Sequence, residues 1–116
     1  MRHLSKLILA CALSTGCATA VPQAKIDGVQ KAISGASEAV GSQGGAAADR
    51  LADAKKEFDA AMEMVKGGKT DDALRTLAKA DADAKLAQAL GVEGSTRAQL
   101  TAVQDQIKTL KAQLGK

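Results

Sequence analysis

Thr70-Asp71-Asp72-Ala73-Leu74-Arg75-Thr76-Leu77-Ala78-Lys79-Ala80-Asp81-Ala82-Asp83-Ala84-Lys85-Leu86-Ala87 is the stretch on which the fold turns. Within it Ala73, Leu77, Ala80, Ala84 and Ala87 recur at alternating intervals of four and three, the spacing that gathers side chains on one face of an α-helix. Alanine loses no side-chain entropy in a helix, so propensity and pattern agree. Asp71 and Asp72 stand in the first turn, where the positive end of the helix dipole favours carboxylates, and Thr70 is the expected N-cap. Asp71 with Arg75 and Asp81 with Lys85 are acid-before-base pairs four apart, each worth a few tenths of a kcal/mol. The spacing predicts a helix over 71–90, and its small side chains permit a second helix to approach closely.

Upstream, Gly67-Gly68 predicts a helix stop. Before it a helix is expected over 46–66, with Ala47, Leu51, Ala54, Phe58, Ala61 or Met62, and Val65 on one face. Gly41-Ser42-Gln43-Gly44-Gly45 reads as a flexible linker. Ahead of it a looser first helix is expected over 24–40, carrying Ile26, Val29, Ile33, Ala36 and Val40 on a stripe but weakened by Gly28 and Gly35 at about 1 kcal/mol each. Downstream, Gly91-Val92-Glu93-Gly94 predicts a break. Ser95 or Thr96 would then cap a fourth helix whose Leu100, Val103, Ile107, Leu110 and Leu114 form a coiled-coil-like seam. Short connections make successive helices antiparallel. The expected fold class is therefore all-α: an up-and-down antiparallel bundle, or helical hairpins, of three to four helices, with Phe58 and Leu77 facing the interior. The last seam is expected to be core, with completion by self-association as the alternative.

At 116 residues the chain has room for one domain. Nearly half of the 46% apolar fraction is alanine, and Phe58 is the single aromatic residue, so the core must be thin. Little area is buried per residue at about 25 cal/mol per Å², which makes marginal stability or dependence on partners the expectation.

The N-terminus, Met1-Arg2-His3-Leu4-Ser5-Lys6, is cationic and leads into the apolar run Leu7-Ile8-Leu9-Ala10-Cys11-Ala12-Leu13 and the small residues Ser14-Thr15-Gly16. This is the three-part layout of a secretory signal, and the run is shorter than the roughly 20 residues a membrane-spanning helix requires. Two processing sites lie within four residues of each other. Gly16-Cys17 is similar to a bacterial lipobox, whose cysteine carries diacylglycerol, although Leu13 stands one residue further from Cys17 than the commonest pattern has it. Ala18-Thr19-Ala20 is similar to an ordinary signal-peptidase site, which would release a soluble periplasmic chain beginning at Val21. Cys17 is taken as the lipidation site and cleavage after Ala20 as the alternative. The expected organisation is a signal over 1–16, a tether over 17–23, the first helix and glycine linker over 24–45, and a bundle domain over 46–116. Lipidation would place the chain on the outer membrane, facing the periplasm.

Over residues 51–90 the pattern Leu51-Ala52-Asp53-Ala54, Ala60-Ala61, Gly67-Gly68-Lys69-Thr70-Asp71-Asp72-Ala73-Leu74 and Ala78-Lys79-Ala80-Asp81-Ala82-Asp83-Ala84-Lys85-Leu86-Ala87 resembles the helical domain of unknown function found in Gram-negative envelope lipoproteins. Members of that family occur alone or ahead of an OmpA-like peptidoglycan-binding domain, which does not follow here. The hairpin is also similar to one tetratricopeptide unit, but a single unit is no array. Cys17, Ala24-Lys25-Ile26-Asp27, the three-four rhythm and the terminal Lys116 are similar to the major outer-membrane (murein) lipoprotein. That resemblance implies peptidoglycan attachment at Lys116, against an ordinary charge at a helix end.

Catalysis has little to draw on. His3 and Cys11 leave with the signal, no tyrosine is present, and the carboxylates and lysines sit at helical spacing instead of around turns. No enzyme activity and no cofactor is expected. Asp81 and Asp83 near Asp71-Asp72 suggest a cation site only superficially, because residues two apart on a helix diverge; a solvated face is the expectation. Gly67-Gly68-Lys69-Thr70 follows a helix, so it is a stop and cap and no phosphate loop. Sixteen lysines and arginines, less Arg2 and Lys6, leave 14 basic against 13 acidic side chains, and with one aromatic nothing points to nucleic acid. The expected partners are the membrane through Cys17, envelope proteins or peptidoglycan, and a second copy of the chain. The expected role is structural or scaffolding.

Overall fold

The structure, a computed structural model, describes residues 19–115 and is all-helical: α1 (Gln23–Val40), α2 (Ala46–Lys66) and α3 (Thr70–Leu114), with no strand among the described residues. The pattern that opened the sequence is its spine. Ala73, Ala80, Ala84 and Ala87 are fully buried and Leu77 is 1% exposed. α3 packs most extensively on α2, then on α1, while α1 and α2 touch least. At one end Ile26 and Val29 of α1 and Ala61 of α2 meet Leu77 and Ala80; at the other Ala36 and Val40 of α1 and Ala47 and Ala54 of α2 meet Ala84 and Ala87. α1 and α3 therefore run in one direction and α2 runs against both.

Leu77 faces the interior as expected. Phe58 is only half-buried, at the edge of the cluster that holds Leu77. The α2 helix rolls so that its alanines, Ala54 and Ala61, take the closest approach, and the larger ring is displaced toward the rim. Phe58→Ala is accordingly expected to lower stability by about 1–2 kcal/mol, below the 3–5 kcal/mol of an enclosed ring. Reversible urea denaturation checks this, and a loss above that range would place the ring inside.

Gly67-Gly68 stops α2 as the sequence indicates, and the mechanism is a Schellman motif. Gly68 sits at φ +72°, its N–H donates to the Val65 carbonyl at 3.1 Å, and the Lys69 N–H donates to the Met64 carbonyl at 2.9 Å. Thr70 is not the N-cap; it is the first residue of α3, after Lys69, and no side-chain cap hydrogen bond forms. Asp71 and Asp72 do occupy the first turn. Asp81 and Lys85 pair at 2.6 Å.

The largest departure is downstream. Gly91-Val92-Glu93-Gly94 does not break the chain: the expected third and fourth helices are one helix of 45 residues, about 67 Å long at 1.5 Å per residue. Each glycine costs about 1 kcal/mol in a helix, but Gly91 is buried where the end of α1 crosses α3. A Cβ built there would lie 2.6 Å from the Ala39 carbonyl oxygen and 2.8 Å from the Val40 nitrogen. The residue is glycine because two backbones meet at it. Ser95 and Thr96 cap nothing; both hydroxyls donate back to the Val92 carbonyl at 2.9 Å, and Glu93 pairs with Arg97 at 2.7 Å. The linker between α1 and α2 is tied to the same place. Gln43 donates through Nε2 to the Gly91 carbonyl at 3.0 Å and to the Ala39 carbonyl at 3.3 Å, and its side chain also covers Gly94.

Beyond that crossing, every residue from 96 to 115 is exposed. The seam expected to be core is therefore open, with exposures from 47% at Ile107 to 87% at Leu114. At 100° per residue the seam lies about 140° around α3 from the stripe that ends at Gly91. Only a turn of the chain could bring it back against α1 and α2, and the helix runs straight through.

Candidate functional site

Cys17 and Lys116, the residues singled out for lipidation and for peptidoglycan attachment, lie outside the described residues. Among the described residues, side chains converge on two faces of the packed half and on one face of the projecting half.

Between α1 and α3, on the side away from α2, runs a groove of about 830 Å³. Val29, Ala32, Leu74 and Leu77 line it, with Lys25, Lys31 and Lys85 among its polar margins. It exists because α1 carries glycine along that flank. A Cβ at Gly28 would meet nothing within 4 Å, and one at Gly35 would only touch the Gln88 side chain at 3.5 Å. The alanine seams pack closely, and the open volume lies along the glycine-bearing flank of α1.

The opposite flank, between α2 and α3, is charged. Arg50 reaches across to Asp83 at 3.5 Å, and Lys79 pairs with Glu57. Asp83 is thus bound to an arginine while Asp81, two residues earlier, pairs with Lys85, so the two acids diverge as helical spacing requires. Among the described residues no cluster of three or more acidic, histidine or cysteine side chains is arranged to hold a metal ion. One oxygen of Glu57, Oε2, is buried without a hydrogen-bond partner. The other holds the Lys79 ammonium above its ordinary value of 10.5, by hydrogen bond first and by charge second. Glu63 does the same for Lys66.

That binding has a defined pH dependence. The folded chain holds the Lys79 proton more tightly than the unfolded chain, so the contribution is complete below pH 10.5 and is lost as the pH climbs through the higher folded-state value. The melting temperature followed by circular dichroism is expected to fall above pH 10.5, and to fall less in Lys79→Gln. An equal fall in both proteins would mean that the pair contributes nothing, as many exposed pairs do.

The projecting half of α3 presents Leu100, Val103, Ile107, Leu110 and Leu114 to solvent. Such a contiguous exposed apolar row is a candidate interaction surface. Its residues were legible in the sequence; its availability was not. The groove, Gln43 and the crossing at Gly91 were missed altogether. A signal for the last was present, because Gly91 follows Ala84 and Ala87 in the same three-four rhythm and is the next small residue of a packing stripe.

These features define a class: an alanine-packed three-helix unit that carries one long helical extension with an open apolar row. No family model, curated protein or solved structure matches the chain. Among the described residues no helix is long and apolar enough to cross a membrane.

Proposed function

We propose that this chain is an exported envelope lipoprotein, held on the periplasmic face of the outer membrane through Cys17, whose helical part acts as a scaffold and has no catalytic role. The observation that carries the proposal is the N-terminal layout, a cationic start, an apolar run and Gly16-Cys17. The geometry supports it. α1 begins at Gln23, so the tether after Cys17 is short, and α3 runs in the same direction as α1. An anchored chain of this shape carries an up-and-down bundle near the membrane and sends the apolar row of α3 outward. Attachment to peptidoglycan through Lys116 is a secondary part of the proposal, since the far end of α3 is then the end most distant from the anchor. The resemblance over 51–90 to a domain of envelope lipoproteins agrees with this role.

Ala18-Thr19-Ala20 supports a second proposal, a soluble periplasmic interaction module beginning at Val21. Intact mass and detergent partitioning separate the two. The expected result is an acylated N-terminal Cys17 in the detergent phase, with Cys17→Ser moving the chain to the aqueous phase or blocking its processing. An unmodified chain beginning at Val21 overturns the anchor.

A further inference from the structure

We propose that the projecting half of α3 pairs, parallel and in register, with the same segment of a second copy of this chain. Leu100, Ile107 and Leu114 occupy a positions and Val103 and Leu110 occupy d positions of a heptad repeat, and all five are exposed. Nothing else in the described chain can cover them, because the seam points about 140° away from the face that holds α1 and α2.

Charge selects the occupant and its direction. The g positions beside the seam are Gln99, Gln106 and Gln113, and the e positions are Arg97, Gln104 and Lys111. Parallel pairing sets Gln99 beside Gln104 and Gln106 beside Lys111, with no like charges facing. Antiparallel pairing of the same core sets Arg97 of one copy beside Lys111 of the other at both ends, which is repulsive. Docking of the seam into another copy's α1–α3 groove is opposed in the same way. Lys25, Lys31, Lys85 and Asp81 border that groove, and Asp81 pairs with Lys85, so Lys25 and Lys31 carry its net charge; the seam helix itself carries Arg97, Lys108 and Lys111 against Asp105. Two helices of 10–12 Å diameter in contact over about 28 Å bury on the order of 1,000 Å² in total, the lower end of specific interfaces. The pair is therefore weak and concentration-dependent, and confinement to a surface would favour it. The pairing follows from the seam and its flanks and does not rest on the lipid anchor.

Cysteine cross-linking in the full-length chain, in the fraction where it resides, tests this. Val103→Cys and Leu110→Cys are each expected to give a covalent homodimer on mild oxidation, at least about fivefold above Asp105→Cys on the outward face and above the unsubstituted chain, because in-register d positions bring like residues within disulfide reach. Ile107→Asp added to Val103→Cys is expected to return the yield to the Asp105→Cys level. Because residues 96–115 are all exposed and belong to neither core cluster, this change should leave the unfolding midpoint of the dilute monomer in place, so loss of the dimer is not loss of the fold. Equal yields at 103, 105 and 110 overturn the pairing. A dimer that forms only when Val103→Cys and Ile107→Cys chains are mixed overturns its direction, and cross-linking solely to a different protein overturns the choice of partner. Fractionation of the same samples reports on the anchor separately, since a soluble chain that still cross-links refutes only the anchor.

Discussion

Gly91→Ala is expected to destabilise the protein by about 2 kcal/mol, although alanine in place of glycine within a helix ordinarily stabilises by about 1 kcal/mol. The reversal is steric. The added methyl group would stand 2.6 Å from the Ala39 carbonyl oxygen, 2.7 Å from its carbon and 2.8 Å from the Val40 nitrogen, and all three are backbone atoms that cannot rotate away. The end of α1 would have to lift from α3 by most of an ångström. That movement strains the Gln43 bridge to the Gly91 and Ala39 carbonyls and loosens Val40, which is 2% exposed in the adjoining cluster. Gly28→Ala is the internal control, because its Cβ meets nothing within 4 Å and the change should stabilise by about 1 kcal/mol. Urea denaturation of the two variants side by side is the measurement. If Gly91→Ala gains stability as Gly28→Ala does, α1 does not cross α3 at this position.

Leu77→Ala is expected to have the largest effect, a loss of about 3–4 kcal/mol. Leu77 and Val40 are the largest fully buried side chains, and Leu77 stands where Ile26, Val29, Ala61 and Ala80 converge from all three helices. Its neighbours include Ala61 and Ala80, which are fully buried and have no rotamer that could fill the vacated space. Against a total stability of about 5–10 kcal/mol for a domain of this size, such a loss leaves the packed half only marginally folded. Circular dichroism under denaturant titration would show the midpoint moving sharply downward, with the exposed half of α3 fraying alongside it. A shift no larger than that of Phe58→Ala would mean that Leu77 is not enclosed.

The two variants separate what periodicity reveals from what it hides. The stripe Ala73, Leu77, Ala80, Ala84, Ala87 is buried at every position, and the faces of α1 and α2 point inward as their spacing indicates, with Ile33, Leu51 and Phe58 partly open at the margins. Such rhythms are a property of one helix and are legible without knowledge of its neighbours. The helix stop at Gly67-Gly68 was legible for the same reason, since a left-handed cap needs a glycine and a local pair of hydrogen bonds and nothing more. Gly91 has the same composition and the opposite meaning. A glycine that ends a helix and a glycine that admits a second backbone look alike until the second backbone is known to be there.

By itself, then, the amino-acid sequence determined that the described chain is helical, which faces are apolar, and where α1 and α2 end, because propensity, capping and three-four spacing are local. Its N-terminal layout also supplies the ground for the proposed export and anchorage. Tertiary structure decided the rest: that the last two expected helices are one, that Gly91 is a crossing point, and that the seam from Leu100 to Leu114 stands open. The reason is that the cost of two glycines in a helix is about 2 kcal/mol, small enough for packing elsewhere to override. Once the helix runs through, the fixed 100° advance per residue turns the seam away from its own core and leaves it facing outward.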